Sequence, residues 1–596
     1  MATITKLMCL VCHKPNNHTR NFEREGATRR RSGNYKPPFW DYGYIQSFNS
    51  KYSGAKQYME RASELKMEVK KMLEDARSLK PVIDSLELID DLQRLAISYH
   101  FEDEIKKILT SIYERKYMHD HVKNVTTTIN DGPNAEKDLY STALEFRLLR
   151  QHRFSIHQEI FDHYKDKKGA FKSSLEKDMK GLLELYEVSH LLMMDEKTLE
   201  LARGFSTRLL QQNIGFYDQN RGEDENLVHL LVRNALEMPL HWRVQRLNAR
   251  WFIDVCEKRK DKNLTVLIEL AKLDFNIVQA THQEELKEVS RWWKRTCLSE
   301  MLPFVRDRLV ENYFWTIGVF SEPQHGYQRL MGTKVNALIT TIDDIYDVYG
   351  TSSELQHFTA VIQRTINIRW DIEAMDELPS YMRLCFLALN NFVNEMAYDV
   401  LKEQGVVIIP YLRKSWVDLC TAYLQEAKWY AEGYIPGLEE YINNAWISIS
   451  APAILSQAFF LLEDPIKEEI LQSLYKYHDI IRCSSMILRL ANDLGTSPHE
   501  MERGDVPKSI QCYMNETGAS EMEAREHIKS LICETWKEMN KERMRNDCPF
   551  SEAFVESAVG LGRMAQYMYE HGDGHGIQNS QIKQRISSLL FDPIEY

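Results

Sequence analysis

From Gly54 to Cys256, apolar residues recur three and four positions apart, as in Leu86, Ile89, Leu92 and Leu95 and again in Leu182, Leu183, Leu185 and Tyr186. That spacing gathers them on one face of an α-helix, and the strict alternation that marks half-buried strands is scarce. The same rhythm resumes at Leu264 and runs toward the C-terminus. The charged stretch from Lys258 to Asn263 reads as a boundary, and the polar segment 118–137, with its Asn and Gly residues, as an exposed loop. Neither a repeat of solenoid length nor a low-complexity block interrupts this pattern. The expectation is an all-α chain with one helical domain over 30–262 and another over 263–596.

Two apolar runs in the second half end in oxygen-bearing residues. Val335 to Ile342, with Asn336 inside it, leads into Asp343-Asp344-Ile345-Tyr346-Asp347; Met486 to Ala491, with Arg489 as its charge, leads into Asn492-Asp493-Leu494-Gly495-Thr496 and on to Glu500. At about 100° per residue, Asp343 and Asp347 share one helix face, and Asn492, Thr496 and Glu500 share another. Acids at the end of a buried helix are costly without a compensating cation. Carboxylate, amide and hydroxyl oxygens suit Mg²⁺, which shares its shell with substrate phosphates, and the lack of imidazole and thiolate in both stacks argues against zinc. Asn336, two turns before Asp343, should face the same cavity.

At 596 residues the length allows three to four domains or two large helical ones. A hydrophobic content of 43% fits a folded chain with a large core, and a net charge of −12 disfavours nucleic acid, whose phosphates need concentrated Lys and Arg. Of ten cysteines only Cys9 and Cys12 have a CxxC spacing, with no second pair to complete a zinc site. The greasiest stretch, Ile447 to Leu462, is interrupted by Ser448, Ser450, Pro452, Ser456 and Gln457 and falls short of a membrane span, so it reads as a core helix. Residues 1–29 carry five Lys or Arg against two Glu and no Ser, which reads as a plastid transit peptide or, alternatively, a disordered cytosolic tail.

With these motifs in place the chain resembles the plant terpene synthases, in particular the angiosperm group rich in monoterpene synthases. The markers are Arg30-Arg31 followed by eight residues and Trp40, Arg306-Asp307-Arg308, the DDIYD run at 343–347, NDLGTSPHE at 492–500 and GDVPKSIQCYM at 504–514. The resemblance implies an N-terminal α-barrel relict and a C-terminal class I terpenoid synthase fold. Protonation-initiated cyclisation is disfavoured, because Ile89-Asp90-Asp91-Leu92 lacks the leading acid of DxDD. Chain elongation is disfavoured because the second motif takes the Asn/Thr/Glu form.

The resemblance implies a lyase that ionises geranyl diphosphate with about three Mg²⁺ ions, or Mn²⁺, held by Asp343, Asp347, Asn492, Thr496 and Glu500. Asp344 would support them from behind. Arg306, Arg308, Arg489 and Lys508 would hold the leaving diphosphate, and Trp315 and Tyr569 would face the carbocation. Asp573 and His575 match a C-terminal loop over the pocket, with His575 as a proton acceptor. Arg30, Arg31 and Trp40 would form an arm that caps the site and favours a ten-carbon substrate. Isoprene synthases carry Phe at the positions of Asn336 and Leu488, so a hemiterpene product is disfavoured. A cyclic product of the limonene, terpineol or cineole type is expected; acyclic myrcene, ocimene or linalool, a sesquiterpene, and a catalytically silent isoprenoid-diphosphate binder are the alternatives. The other expectations are a monomer or homodimer, no membrane span, and residence in the plastid stroma or else the cytoplasm. Pro498 should bend the helix that carries Glu500, and 365–369 looks like an insertion.

Overall fold

The computed structural model describes residues 30–79, 81–118, 138–214, 223–258, 262–364, 373–503, 507–576 and 579–596. Residues 1–29 with Cys9 and Cys12, nearly all of 118–137, and the stretch 365–369 lie outside them. Among the described residues the fold is all-α, with a lone antiparallel bridge between Lys165 and Phe171 as the sole β pairing.

The N-terminal domain stacks short amphipathic helices whose predicted faces are inside. Leu86, Ile89, Leu92, Leu182 and Leu185 are all at most 1% exposed. Its buried centre is ionic: Asp90 pairs with Arg147 at 2.6 Å and Arg94 at 2.8 Å. Burial by itself would raise the Asp90 pKa, but the two guanidiniums hold it below the usual value. Asp90 is therefore a fixed anion, unsuited to donating a proton to substrate.

A helix of 35 residues, Lys262–Thr296, opens the second half and receives both chain ends. Gln46 on the arm side donates to Lys287 O at 3.0 Å and Ser290 Oγ at 2.7 Å. At the other end, Gln279 and Gln283 donate to Leu589 O and Leu590 O, both at 2.8 Å. Trp40, 6% exposed, packs on Phe591 with centroids 5.6 Å apart, which anchors the arm to the C-terminal helix Ser580–Leu590.

The helix Glu521–Met544 faces both domains. Asn540 donates to His190 O and Leu192 O at 3.1 and 3.0 Å, and Trp536 stacks on Trp242. The same helix braces Asp479–Arg503, which runs unbroken through Pro498. A proline at 498 leaves the Leu494 carbonyl without its helical donor, and Arg525 Nη1 supplies one at 3.0 Å while Nη2 bonds Ser497 Oγ at 2.9 Å. The carbonyl that the proline leaves without its helical donor is thus satisfied by an outside brace.

The stretch Leu438–Leu462 is apolar enough to cross a membrane by composition, but it is 67% buried here. It forms two helices, Leu438–Ser448 and Ala451–Leu462, broken at Ser450 with φ 70°. Ile447 and Ser448 therefore belong to the preceding helix, and the core helix begins four residues later than the apolar run suggests.

Candidate active site

Residues of both motif helices line one cavity of about 700 Å³. On the first wall, Gly326–Asp344 contributes Asn336, Thr340 and Asp343, then widens into a π-turn over Ile345–Tyr349, closed by Gly350 N–H to Ile345 O at 2.8 Å. That turn brings Asp347 into the cavity. On the second wall, Asp479–Arg503 contributes Leu488, Arg489, Asn492 and Thr496. Glu500 is on this helix, but its side chain lies outside the described residues.

Each wall pairs a cavity-facing oxygen with a buried acid behind it. Asp344 is fully buried, accepts the Arg306 backbone N–H at 2.7 Å and lies 3.0 Å from Arg306 Nε. Arg306 also pairs with Asp343, so one guanidinium ties the two acids together. Burial, opposed by Arg306 and assisted by Asp343, moves the Asp344 pKa up to about 6. Opposite, fully buried Asp493 accepts from the Tyr441 hydroxyl at 3.0 Å and from Ser509 N–H at 3.2 Å, and pairs with Arg489 at 2.6 Å. Arg489 also donates to Asn492 Oδ1.

These residues fit a hard cation. Asp347 is open to solvent through the cavity, yet desolvation by the surrounding walls and the neighbouring Asp343 push its carboxyl above the ordinary carboxylate range, and Thr496 Oγ1 is buried with no hydrogen-bond partner. Two crowded acids and an unsatisfied hydroxyl form an oxygen set that a divalent ion would complete. Among the described residues no three His, Cys, Asp or Glu side chains form a closed cage. Such an ion would therefore take much of its shell from a ligand's oxygens.

The rest of the cavity is aromatic and basic. Trp315 lies 6.0 Å from Tyr569 and 6.4 Å from His575, all three in the lining. Asp573 accepts the N–H groups of His575 and Gly576 at 2.9 and 2.7 Å, which fixes the loop. Burial, then Arg306 and Arg308, lower His575 to about 3, and its Nδ1 has no partner. This imidazole is neutral across the physiological range. Lys508 lines the cavity with its ammonium 3.6 Å from Glu426.

Arg308 departs from the expectation. It is 2% exposed, does not line the cavity, and donates to Asp307 O at 3.0 Å, Lys36 O at 3.3 Å and Gly576 O at 3.5 Å. Two residues from Arg306 in a non-helical turn, it points the other way and ties the arm to the C-terminal loop.

The arm, residues 30–35, covers the mouth. Arg30 donates to both Glu354 oxygens at 2.9 and 2.8 Å and to Tyr349 O at 3.0 Å, and lies over the rings of Tyr349 and Tyr381. Arg31 covers Tyr430 at 4.2 Å. Trp40 is the buried anchor and does not line the cavity. Burial would raise Glu354, but Arg30 and Thr351 bring it down to about 2. Because the docked value lies below the ordinary one, the pair's contribution is complete above about pH 4.5 and fades as pH falls through 2. Hydrogen exchange of arm amides, corrected for intrinsic rates, should show constant protection from pH 8 to 5 and loss only below about 4.5. Loss of protection between pH 7 and 5 would rule out this pair as the latch.

Tyr35, Glu354, Tyr423, Glu426 and Tyr430 escaped the sequence reading. Tyr423, Glu426 and Tyr430 recur three and four residues apart on Ile409–Glu432, a periodicity that could have marked one cavity-facing stripe. Nothing local marks Glu354 as the partner of Arg30.

The chain matches the terpene synthase N-terminal domain over residues 39–236 and the terpene synthase family metal binding domain over 294–538. It is 56% identical over 95% of its length to a (-)-alpha-terpineol synthase of Vitis vinifera, covering 91% of that protein. It is 54% identical over 95% of its length to a myrcene synthase of Quercus ilex named as chloroplastic, covering 90% of it. Among solved structures it resembles limonene synthase with 2-fluorolinalyl diphosphate, with TM-score 0.88, 52% identity, and coverage of 95% of this chain and 100% of that one. It also resembles isoprene synthase from Populus x canescens in complex with three Mg²⁺ ions and dimethylallyl-S-thiolodiphosphate, with TM-score 0.81, 41% identity, and coverage of 93% and 99%.

Proposed function

This chain belongs to the terpene synthase family, and on that premise we propose that it is a plastid monoterpene synthase, which ionises geranyl diphosphate with Mg²⁺ and releases diphosphate and a cyclic monoterpene. The observation that carries the reading is that Asp343, Asp347, Asn492 and Thr496 line one cavity together with the arm and with Trp315 and Tyr569. Residence in the plastid is supported by the compartment named for the Quercus ilex relative.

Asp343, Asp347, Asn492, Thr496 and Glu500 are the residues that would hold Mg²⁺, and bound Mg²⁺ would supply positive charge to the departing diphosphate. Arg306, Arg489 and Lys508 grip its oxygens, the arginines through planar forks and the lysine as a point charge. Once the carbon–oxygen bond breaks, the electron pair leaves with the diphosphate, and the cation rests against the faces of Trp315 and Tyr569, whose quadrupoles stabilise it without attacking it. The arm keeps water out. His575 Nδ1 takes the final proton: its basicity is low, but a proton beside a carbocation centre is acidic enough for a weak neutral base.

The test is gas chromatography with mass detection after incubation with geranyl, neryl and farnesyl diphosphates, each with and without Mg²⁺. The expected result is a cyclic ten-carbon hydrocarbon or alcohol from geranyl diphosphate, dependent on the ion. Dominant farnesyl turnover would overturn the chain length, exclusively linear products such as myrcene would overturn the ring, and no diphosphate release would leave a silent binder.

A further inference from the structure

Arg306 is the point where the first motif helix, the C-terminal loop and the arm converge. Its guanidinium pairs with Asp343 and Asp344, and a Cβ on Gly576 of the C-terminal loop would come within 3.5 Å of its Nη1. The remaining face is covered by the arm: the Tyr35 ring lies 5.2 Å from Arg306 Cζ. Asp344, which receives the Arg306 backbone N–H, is also an electrostatic neighbour of Tyr35. Tyr35 therefore stacks on the arginine and lies beside the acid that orients it. Gly33 makes room for this, since a Cβ there would meet the Tyr35 ring at 2.5 Å.

We propose that Tyr35 is a positioning residue for the diphosphate end of the site, seating the arm on the Arg306–Asp344 pair and holding the Arg306 fork at the angle at which it grips the leaving group. The arm thus does more than exclude water. Its closure and the aim of a phosphate-binding arginine become one event, because a stacked aromatic face restricts guanidinium rotation while leaving the edge donors free. The proposal rests on the synthase reading above, in which Arg306 binds diphosphate.

Arg31 provides a probe that needs no turnover: it is exposed but stacked on Tyr430, and the bond after it should enter the trypsin cleft faster when the arm lifts. Cleavage is followed in the full-length chain by mass spectrometry of the fragment beginning at Ser32. Tyr35→Ala should accelerate that cut about tenfold, the scale of one partly desolvated cation–π contact. Tyr35→Phe should restore most of the protection, since it keeps the ring. Gly33→Ala, which leaves Tyr35 in the chain but displaces its ring, should lift the arm as Tyr35→Ala does. With geranyl diphosphate, Tyr35→Ala should lower kcat about tenfold or more with little change in KM, the mark of an interaction made mainly in the transition state.

Equal cleavage rates in the native chain and all three variants would overturn the proposal, as would a change in KM alone. If the native chain itself failed to turn over geranyl diphosphate, the synthase reading would fall, whereas the cleavage series would still report on the seat of the arm.

Discussion

Asp343→Ala should abolish turnover of geranyl diphosphate, with kcat falling by at least about a thousandfold, while the folded state survives. The side chain is 26% exposed and its recorded partner is Arg306, so its removal leaves no packed apolar void. What disappears is one of the two first-wall oxygens that face the second motif, together with the anion that holds the guanidinium near the leaving group. Product formation and released diphosphate measure the first effect, and circular dichroism with thermal denaturation the second. Asp344→Ala should behave differently. That residue is fully buried and fixes the Arg306 backbone, so both activity and melting temperature should drop. Substantial diphosphate release by well-folded Asp343→Ala would remove the basis of the proposed ionisation.

Gly560→Ala should be strongly destabilising. A Cβ at 560 would lie 2.2 Å from Gly318 O and 3.6 Å from Val319 Cα, where the helices Leu309–Val319 and Glu552–Tyr569 touch backbone to backbone. Backbone cannot rotate away as a side chain can, so the helices must separate, at a cost of about 2–4 kcal/mol. The same two helices carry Trp315 and Tyr569, so residual activity should show an altered product ratio. Gly204→Ala is the control: it sits inside the helix Lys197–Asn213 with nothing within 4 Å of its added methyl, and should be neutral or slightly stabilising. A melting temperature for Gly560→Ala equal to that of Gly204→Ala would contradict the contact.

The helical architecture was legible because burial imposes a three- and four-residue rhythm on each helix, and Leu86, Ile89 and Leu92 follow it into the core. The facing of Asp343 and Asn492 could be anticipated because each ends an apolar run that must itself be buried. Direction within irregular backbone could not. Arg306 and Arg308 flank the same residue, yet one meets Asp343 and the other meets carbonyls of the arm and the loop. Partners distant in sequence were equally hidden: Glu354 waits more than 300 residues after Arg30, and Arg525 relieves the fault made by Pro498 from a separate helix.

The Glu521–Met544 helix has a practical consequence for anyone seeking a smaller catalyst. Excising the N-terminal helices while keeping the arm would strip Trp242 from Trp536 and the His190 and Leu192 carbonyls from Asn540, on the same rod whose Arg525 steadies the second oxygen wall. Such a trimmed protein would expose a raw aromatic flank and lose the stiffness of its active wall in one cut. Miniaturisation should therefore begin by resurfacing that flank, before any residue near the chemistry is redesigned.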